Sequence, residues 1–403
     1  MSDFGPALAE ICDTATIRAR TRIIWDEAIS GGTAFAVDEG KLPACVDLVM
    51  EVTHAAYGDG PIPVHGRYEH FRAGGIDRVA LLKKDLAGLS AAERAKALID
   101  VTLISVLLDA GAGDAWKYEE GGQTYTRSEG LAVASVAMLR QGAFSADKAS
   151  PFRADGERLA KITSADIARG FQVSEKNPLA GLEGRSQLLS RLAQSMATWP
   201  HIFGQNSQRP GNILDALGNK AVKGEVKAKE ILNMLLLGLS RMWPARSTID
   251  GVGFGDVWTY ASAKGPILVP FHKLSQWLTY SLVEPVESAG LKVIGIEELT
   301  GLPEYRNGGL FLDTGVLRLR DPSLAQRELE AADAAIIQWR ALTVQLLDKV
   351  WLEVCRRKNV TPSLLPLARV LQGGTWSAGR EIAKRLRPGG PPPLKLKSDG
   401  MVF

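Results

Sequence analysis

Cysteine is scarce. Cys12, Cys45 and Cys355 are the only three in 403 residues, and their spacing fits neither a zinc motif nor a disulfide framework. Histidine is scarce too: five scattered residues argue against a three-histidine metal centre. Charge of one sign is lacking, since a formal net charge of +3 is far from the dense basic face that duplex nucleic acid requires. It leaves room for a local cationic pocket suited to a phosphate. Long apolar runs are also missing. The longest, residues 231–239, is half the length of a membrane span and reads as a buried helix. The start, MSDFGPALAEI, lacks the basic end and apolar core of a signal peptide. The expectation is a cytoplasmic protein with reduced thiols and no membrane partner. No GxxxxGK[ST], HExxH, GxSxG or CxxC occurs. Gly251-Val252-Gly253-Phe254-Gly255 lacks the dinucleotide spacing and a convincing strand before it. Neither metal nor cofactor is expected.

What is present is an ordinary globular composition, 45% hydrophobic and 23% charged, on a chain long enough for a large core. Helical spacing runs through residues 6–30, 42–57, 90–108, 128–139, 327–358 and, around Gly373-Gly374, 362–386. Ser90 with Glu93 three residues later forms a capping-box pattern, and Ser128 reads as an N-cap. Strand signals are few, the best at Ile267–Val269 and residues 291–294. The pattern predicts a mostly α chain with at most a few short strands. Residues 1–385 read as one large helical domain, with a division into two lobes near 145–165 left open. Residues 386–403, rich in proline and lysine, read as a flexible tail.

Polar chemistry concentrates in residues 250–320. Asp250 and Asp256 lie among glycines, Lys273 follows on a helix, and Glu304-Tyr305-Arg306 follow a Leu-Pro turn, with Trp258 and Tyr260 as stacking surfaces. Three other stretches compete. Asp109-Ala-Gly-Ala-Gly-Asp114-Ala-Trp116 suits a tight loop against a flat ligand, or a turn anchored by its Trp. Glu129 either compensates a helix dipole or points into a site. In HGRYEHFRAGGIDR, residues 65–78, Arg67 and Arg72 have the forked geometry that grips carboxylate or phosphate, with a pinned surface loop as the alternative. His65 and His70 are five apart and do not share a helical face as metal ligands do.

With the common signatures missing, carboxylate chemistry remains. Cleavage at a sugar's anomeric carbon needs a negative charge beneath a developing oxocarbenium ion and help for the leaving group. Asp250, Asp256 and Glu304 can supply the charge, and Lys273 can hold an acid ionised or bind phosphate.

The motifs GRYEHFRAGG, DAGAGDAWKY, RSEGLAVAS, FGQNSQRPGN, DGVGFGDVW, PFHKLSQWL and LPEYRNGGLFLDTG together resemble the uracil-catabolism family. That family is named from a pyrimidine-degradation route that opens the ring of a uracil nucleotide and releases urea. The likeness runs from about residue 40 to residue 385. A second, fainter one lies in Phe271-His272-Lys273-Leu274-Ser275-Gln276, Glu304-Tyr305-Arg306 and Trp339-Arg340-Ala341-Leu342-Thr343. These are similar to the queuosine-salvage nucleosidases, which carry a Phe-Tyr-Lys-Arg-Ala-Gln helix, an Asp-Tyr-Arg turn and an Arg-Ala-Ala-Thr helix. Those enzymes are all-helical N-glycoside hydrolases related to the DNA-glycosylase fold, and their lysine and aspartate line the cleavage site. The resemblance implies such roles for Lys273 and Glu304, with Asp256 in the preceding acidic segment. It also implies a helix-hairpin-helix-related glycosylase-like fold, to which Leu302-Pro303 is faintly similar. This chain departs by having Glu for Asp, one methylene longer.

The expectation is an N-glycoside hydrolase that cleaves a ribosylurea-type ribose 5-phosphate to urea and ribose 5-phosphate. Glu304, Asp256 and Lys273 would carry the chemistry. Arg306, Tyr305, Asp250, Trp258, Gln276, Asp114, Trp116, Glu129 and Arg67 would bind a small phosphorylated ribosyl substrate. No nucleic-acid partner is expected, and a homodimer is left open. The alternatives are an inert carrier of a pathway intermediate and an amide (ureido) hydrolase.

Overall fold

Side-chain caps decide where several helices begin. A computed structural model describes residues 5–109, 111–112, 115–243 and 247–397. Asp13 accepts from the Ala15 backbone N–H at 2.9 Å and splits the expected 6–30 helix into Pro6–Cys12 and Thr14–Ile29. Ser90 caps Ala91–Leu107 through the Glu93 N–H, while the Glu93 carboxylate turns to Arg209 at 2.7 Å. Ser128 is not a cap. Its helix, Arg127–Arg140, starts after Thr126, and the Ser128 hydroxyl donates to Asp109 at 2.7 Å. The long helix begins at Ala334, seven residues later than its periodicity suggests, and runs to Lys358.

The expected mostly α, glycosylase-like fold with at most a few short strands is corrected. The described residues hold twelve strands in six two-stranded sheets beside the helices. Leu302-Pro303 does not join two helices of a hairpin either: a short turn at Ile296–Glu298 precedes it and the helix Tyr305–Asp313 follows. The physical reason is strand length and partner distance. At two to six residues the strands show little alternation, and several pair with strands far along the chain. Phe35–Val37 runs antiparallel to Leu317–Leu319, and Glu225–Lys227 parallel to Lys292–Ile294. No local signal announces such partners.

The chain divides into two units. The first comprises Met1–His65, Ala245–Trp277 and Gly295–Phe403. Its core includes Ile17 and Ile24 of Thr14–Ile29, Trp258, Tyr260 and Val269 of a β-hairpin, Phe271 just after it, and Ile337, Ala341 and Val344 of Ala334–Lys358. The hairpin pairs Val257–Ser262 with Gly265–Pro270 and buries Val257, Trp258, Tyr260, Val269 and Pro270. The stretch after residue 386 joins this unit: Arg387 pairs with Asp313 at 2.6 Å, Leu394 is buried, and Lys395–Leu396 lies parallel to Glu328–Leu329. Residues 398–403 lie outside the described residues.

The second unit comprises Gly66–Pro244 and Leu278–Ile294. It is built on Ala91–Leu107, Arg127–Arg140, Leu182–Thr198 and Ala228–Gly238. The apolar run at 231–239 lies buried there, all but Asn233. Among the described residues no helix is long and apolar enough to cross a membrane.

Candidate functional site

The hairpin Val257–Ser262/Gly265–Pro270 closes with Val257 opposite Pro270, which sets Asp256 beside residues 271–273. The Asp256 carbonyl accepts from Phe271 N at 3.0 Å, and Asp256 Oδ2 accepts from Lys273 N at 2.9 Å. The chain turns from strand to helix through His272, at φ +49°, a left-handed conformation costly for a non-glycine residue. The His272 ring is held by the Ile11 carbonyl at 2.9 Å. Lys273 thus opens the helix Lys273–Glu287 from a fixed start.

Arg340, buried in the middle of Ala334–Lys358, reaches Asp256 with both terminal nitrogens, at 2.7 and 2.9 Å. Its guanidinium stacks 4.1 Å above the Phe271 ring, and its Nε donates to the Pro303 carbonyl at 3.1 Å. Trp258 Nε1 also donates to Asp256, at 2.8 Å. Burial alone would raise the Asp256 carboxyl, but Arg340, Trp258 and the Lys273 N–H together hold it below the usual carboxylate range. Asp256 is therefore a fixed anion that joins the hairpin, the start of Lys273–Glu287 and the turn before Glu304.

Glu304 is a carboxyl of the opposite kind. It N-caps Tyr305–Asp313, accepting from Arg306 N at 2.7 Å and Asn307 N at 2.6 Å. It is 91% buried (9% exposed). Burial raises its pKa, against the lowering influence of those two N–H groups and of the Lys273 and Arg306 charges. A carboxyl shifted upward can give or take a proton nearer neutrality. On the same helix, Asn307 Oδ1 is buried with no hydrogen-bond partner among the described residues.

The Lys273 charge acts on Glu304 and also on His65. His65 is buried, with Nδ1 2.7 Å from Gln372 Oε1, and Gln372 Nε2 donates to Tyr57 Oη at 3.0 Å. The imidazole lies near the indoles of Trp277 and Trp376, at centroid distances of 6.5 and 6.4 Å. Gln372 sits in a π-helical turn, Leu371–Thr375, a local irregularity common at functional positions.

The first unit therefore brings together Asp256, Trp258, Lys273 and Glu304, with Tyr305 and Arg306 beside Glu304. Arg306 is engaged by the Gly390 carbonyl at 2.8 Å and lies over the Tyr305 ring. Gln276 is fully buried and clamps Thr300 at both ends of its amide. Asp250 lies elsewhere, exposed at the tip of the Ser247–Ile249/Val252–Phe254 hairpin with φ +51°. An Asp-Gly pair suits such a two-residue turn.

Three expected residues belong to the second unit. Arg67 is wholly buried and pairs with Asp109 at 2.8 Å, and its Nε donates to Ser105 at 2.8 Å. Trp116 is wholly buried and donates to the Phe171 carbonyl at 3.0 Å. Glu129 is exposed in the first turn of Arg127–Arg140. Asp114 lies outside the described residues. Sequence reasoning missed Gln372, Trp277 and Trp376, took His65 only as a rejected metal ligand, and placed Arg340 in mid-helix and in a resemblance without giving it a role. The available signals were the aromatic-rich segment around His65 and the paired glycines at 373–374.

Among the described residues no group of three or more His, Cys, Asp and Glu is arranged to hold a metal ion. The three cysteines are buried, and burial pushes the Cys12 and Cys45 thiols up to about 12, so neither is a thiolate nucleophile.

Residues 10–403 match the family described as Protein of unknown function (DUF1688). The chain is 41% identical over 404 residues to Protein urg3 of Schizosaccharomyces pombe, covering 98% of this chain and 99% of that protein. It is 40% identical over 430 residues to Uracil catabolism protein 4 of Lachancea kluyveri, covering 96% of this chain and 97% of that one. The chain therefore belongs to the DUF1688 family, in agreement with the resemblance to the uracil-catabolism family that its motifs carry.

Proposed function

We propose that this protein acts in uracil catabolism as an N-glycoside hydrolase, cleaving a ribosylurea-type ribose 5-phosphate to urea and ribose 5-phosphate. The pathway is supported by the name of a full-length relative, Uracil catabolism protein 4. The reaction rests on one observation: Glu304 is a buried carboxyl that caps the N-terminus of Tyr305–Asp313, where burial raises its pKa against the Lys273 charge.

In its neutral form Glu304 donates its proton to the ureido nitrogen as the bond to the anomeric carbon breaks. The resulting carboxylate then faces the oxocarbenium ion and takes a proton from the attacking water, which restores the acid. Lys273 stabilises the anionic stage and attracts the phosphate. Asp256 stays ionised throughout and keeps Arg340 and the start of Lys273–Glu287 in place.

The test is incubation of the purified protein with ribosylurea 5-phosphate, following urea and ribose 5-phosphate. Glu304→Gln keeps one of the two cap acceptors, so its fold is checked by thermal melting, and the folded variant should lose at least ~10²-fold in turnover. Undiminished release by that variant would remove Glu304 from the mechanism. Saturable binding by the wild-type protein without release would make it a carrier.

A further inference from the structure

One buried group near Lys273 has no part in the reaction above. His65 is the last residue of the first unit's opening segment, and its ring nitrogens are differentiated by the fold. Gln372 directs its amide nitrogen to Tyr57 and its oxygen to His65 Nδ1. That oxygen can only accept, so Nδ1 carries the hydrogen and Nε2 of the neutral ring is left as an acceptor. Nε2 makes no hydrogen bond among the described residues.

The surroundings keep the ring neutral. Burial, and less strongly the Lys273 charge, outweigh the Gln372 hydrogen bond and bring the imidazole down to about 4. A neutral acceptor has a defined preference. It attracts N–H and O–H groups and disfavours the acceptor oxygens of a phosphate or carboxylate. The indoles of Trp277 and Trp376 on either contact of the ring suit a flat group. The Lys273 charge acts on both Glu304 and His65, so the two side chains lie around one lysine.

We propose that His65 reads the leaving-group end of the substrate, its Nε2 accepting an N–H from a planar, uncharged urea-type group packed against Trp277 and Trp376. Gln372 and Tyr57 are positioning residues that fix the tautomer. The assignment rests on the ribosylurea reading above, and its test separates the two.

Binding is measured by calorimetry on the Glu304→Gln protein, with ribosylurea 5-phosphate and with its analogue dimethylated on the terminal ureido nitrogen. The same pair is then measured on Glu304→Gln/His65→Phe, which keeps a ring but no acceptor. The expected preference for the unmethylated compound is ~10- to 10²-fold, the range of one lost hydrogen bond, and it should vanish in the double variant. Nitrogen NMR of the histidines in wild-type protein, assigned with His65→Asn, should show Nδ1 protonated and Nε2 shifted when the substrate binds. Gln372→Glu should raise the pKa of His65 by adding a partner charge.

Discrimination with no turnover by the wild-type protein would sustain the His65 assignment and overturn the hydrolase. Turnover with discrimination unchanged by His65→Phe would do the reverse. A protonated Nε2 in the free wild-type protein would overturn the assignment without recourse to any variant's folding, and so would failure of a Glu304→Gln protein that melts like wild type to bind either compound.

Discussion

Asp256 and Glu304 are both buried carboxyls at helix starts, and their neighbours drive them in opposite directions. Asp256 meets a forked guanidinium, an indole N–H and a backbone N–H. Glu304 has two backbone N–H groups and charges that are not enough to offset its burial. Asp256→Asn would leave Arg340 buried without its counter-charge, a loss of about 3–5 kcal/mol. Denaturant melts of the variant should register it; stability within about 1 kcal/mol of wild type would show that Pro303 and Phe271 suffice to hold Arg340. His65 gives a pH dependence. With its pKa lowered from 6.5 to about 4, the ring is neutral in the fold at pH values where the unfolded chain binds a proton. Stability from this residue is complete above pH 6.5 and is lost as pH falls toward about 4, by about 3 kcal/mol. Glu304 works in the opposite sense, since its raised pKa favours the fold at lower pH. The His65 part is therefore read as the difference between wild type and His65→Phe across that range, and a flat difference would mean the ring titrates normally.

At the scale of elements, the turn Leu371–Thr375 is shaped by what it presses against. A Cβ on Gly374 would overlap Val49 and lie 2.7 Å from Thr53 Oγ1, and one on Gly373 would lie 2.9 Å from Thr53 Cγ2. Both contacts are on the helix Leu42–Tyr57, which also carries Tyr57, the partner of Gln372. Two glycines let the turn approach that helix closely enough for the Tyr57–Gln372–His65 chain to form. Gly374→Ala should cost about 1–3 kcal/mol through overpacking, seen as a lower melting temperature, and should disturb the His65 tautomer signal. Retention of both would show that the helix can yield. The pair Gly373-Gly374 was visible in the sequence as a break in a helical pattern. That it marks a close approach was not, because the surface approached lies some 320 positions away in the chain.

At the scale of the molecule, the first unit is assembled from three separate stretches and the second from two. The site in the first unit takes its residues from all three stretches: His65 from the opening one, Asp256 and Lys273 from the middle one, Glu304, Arg340 and Gln372 from the last. The sequence by itself determined the helices with strong periodicity and clear ends, such as Leu42–Tyr57 and Ala91–Leu107. It also determined the family, and the concentration of acids, Lys273 and aromatics within residues 250–320, because such signals are local. The tertiary structure alone decided the short strands that pair across long separations, such as Phe35–Val37 with Leu317–Leu319. It decided that Asp256 is a fixed ion partner of Arg340 while Glu304 is the carboxyl that burial raises, since charge state depends on neighbours in space. It also moved Asp250 to a hairpin tip and Arg67 and Trp116 into the second unit, and brought forward His65, whose neighbours Gln372 and Trp376 lie some 300 residues away. Periodicity reports which face of an element is buried, whereas the company a buried polar group keeps is set only when distant stretches close around it.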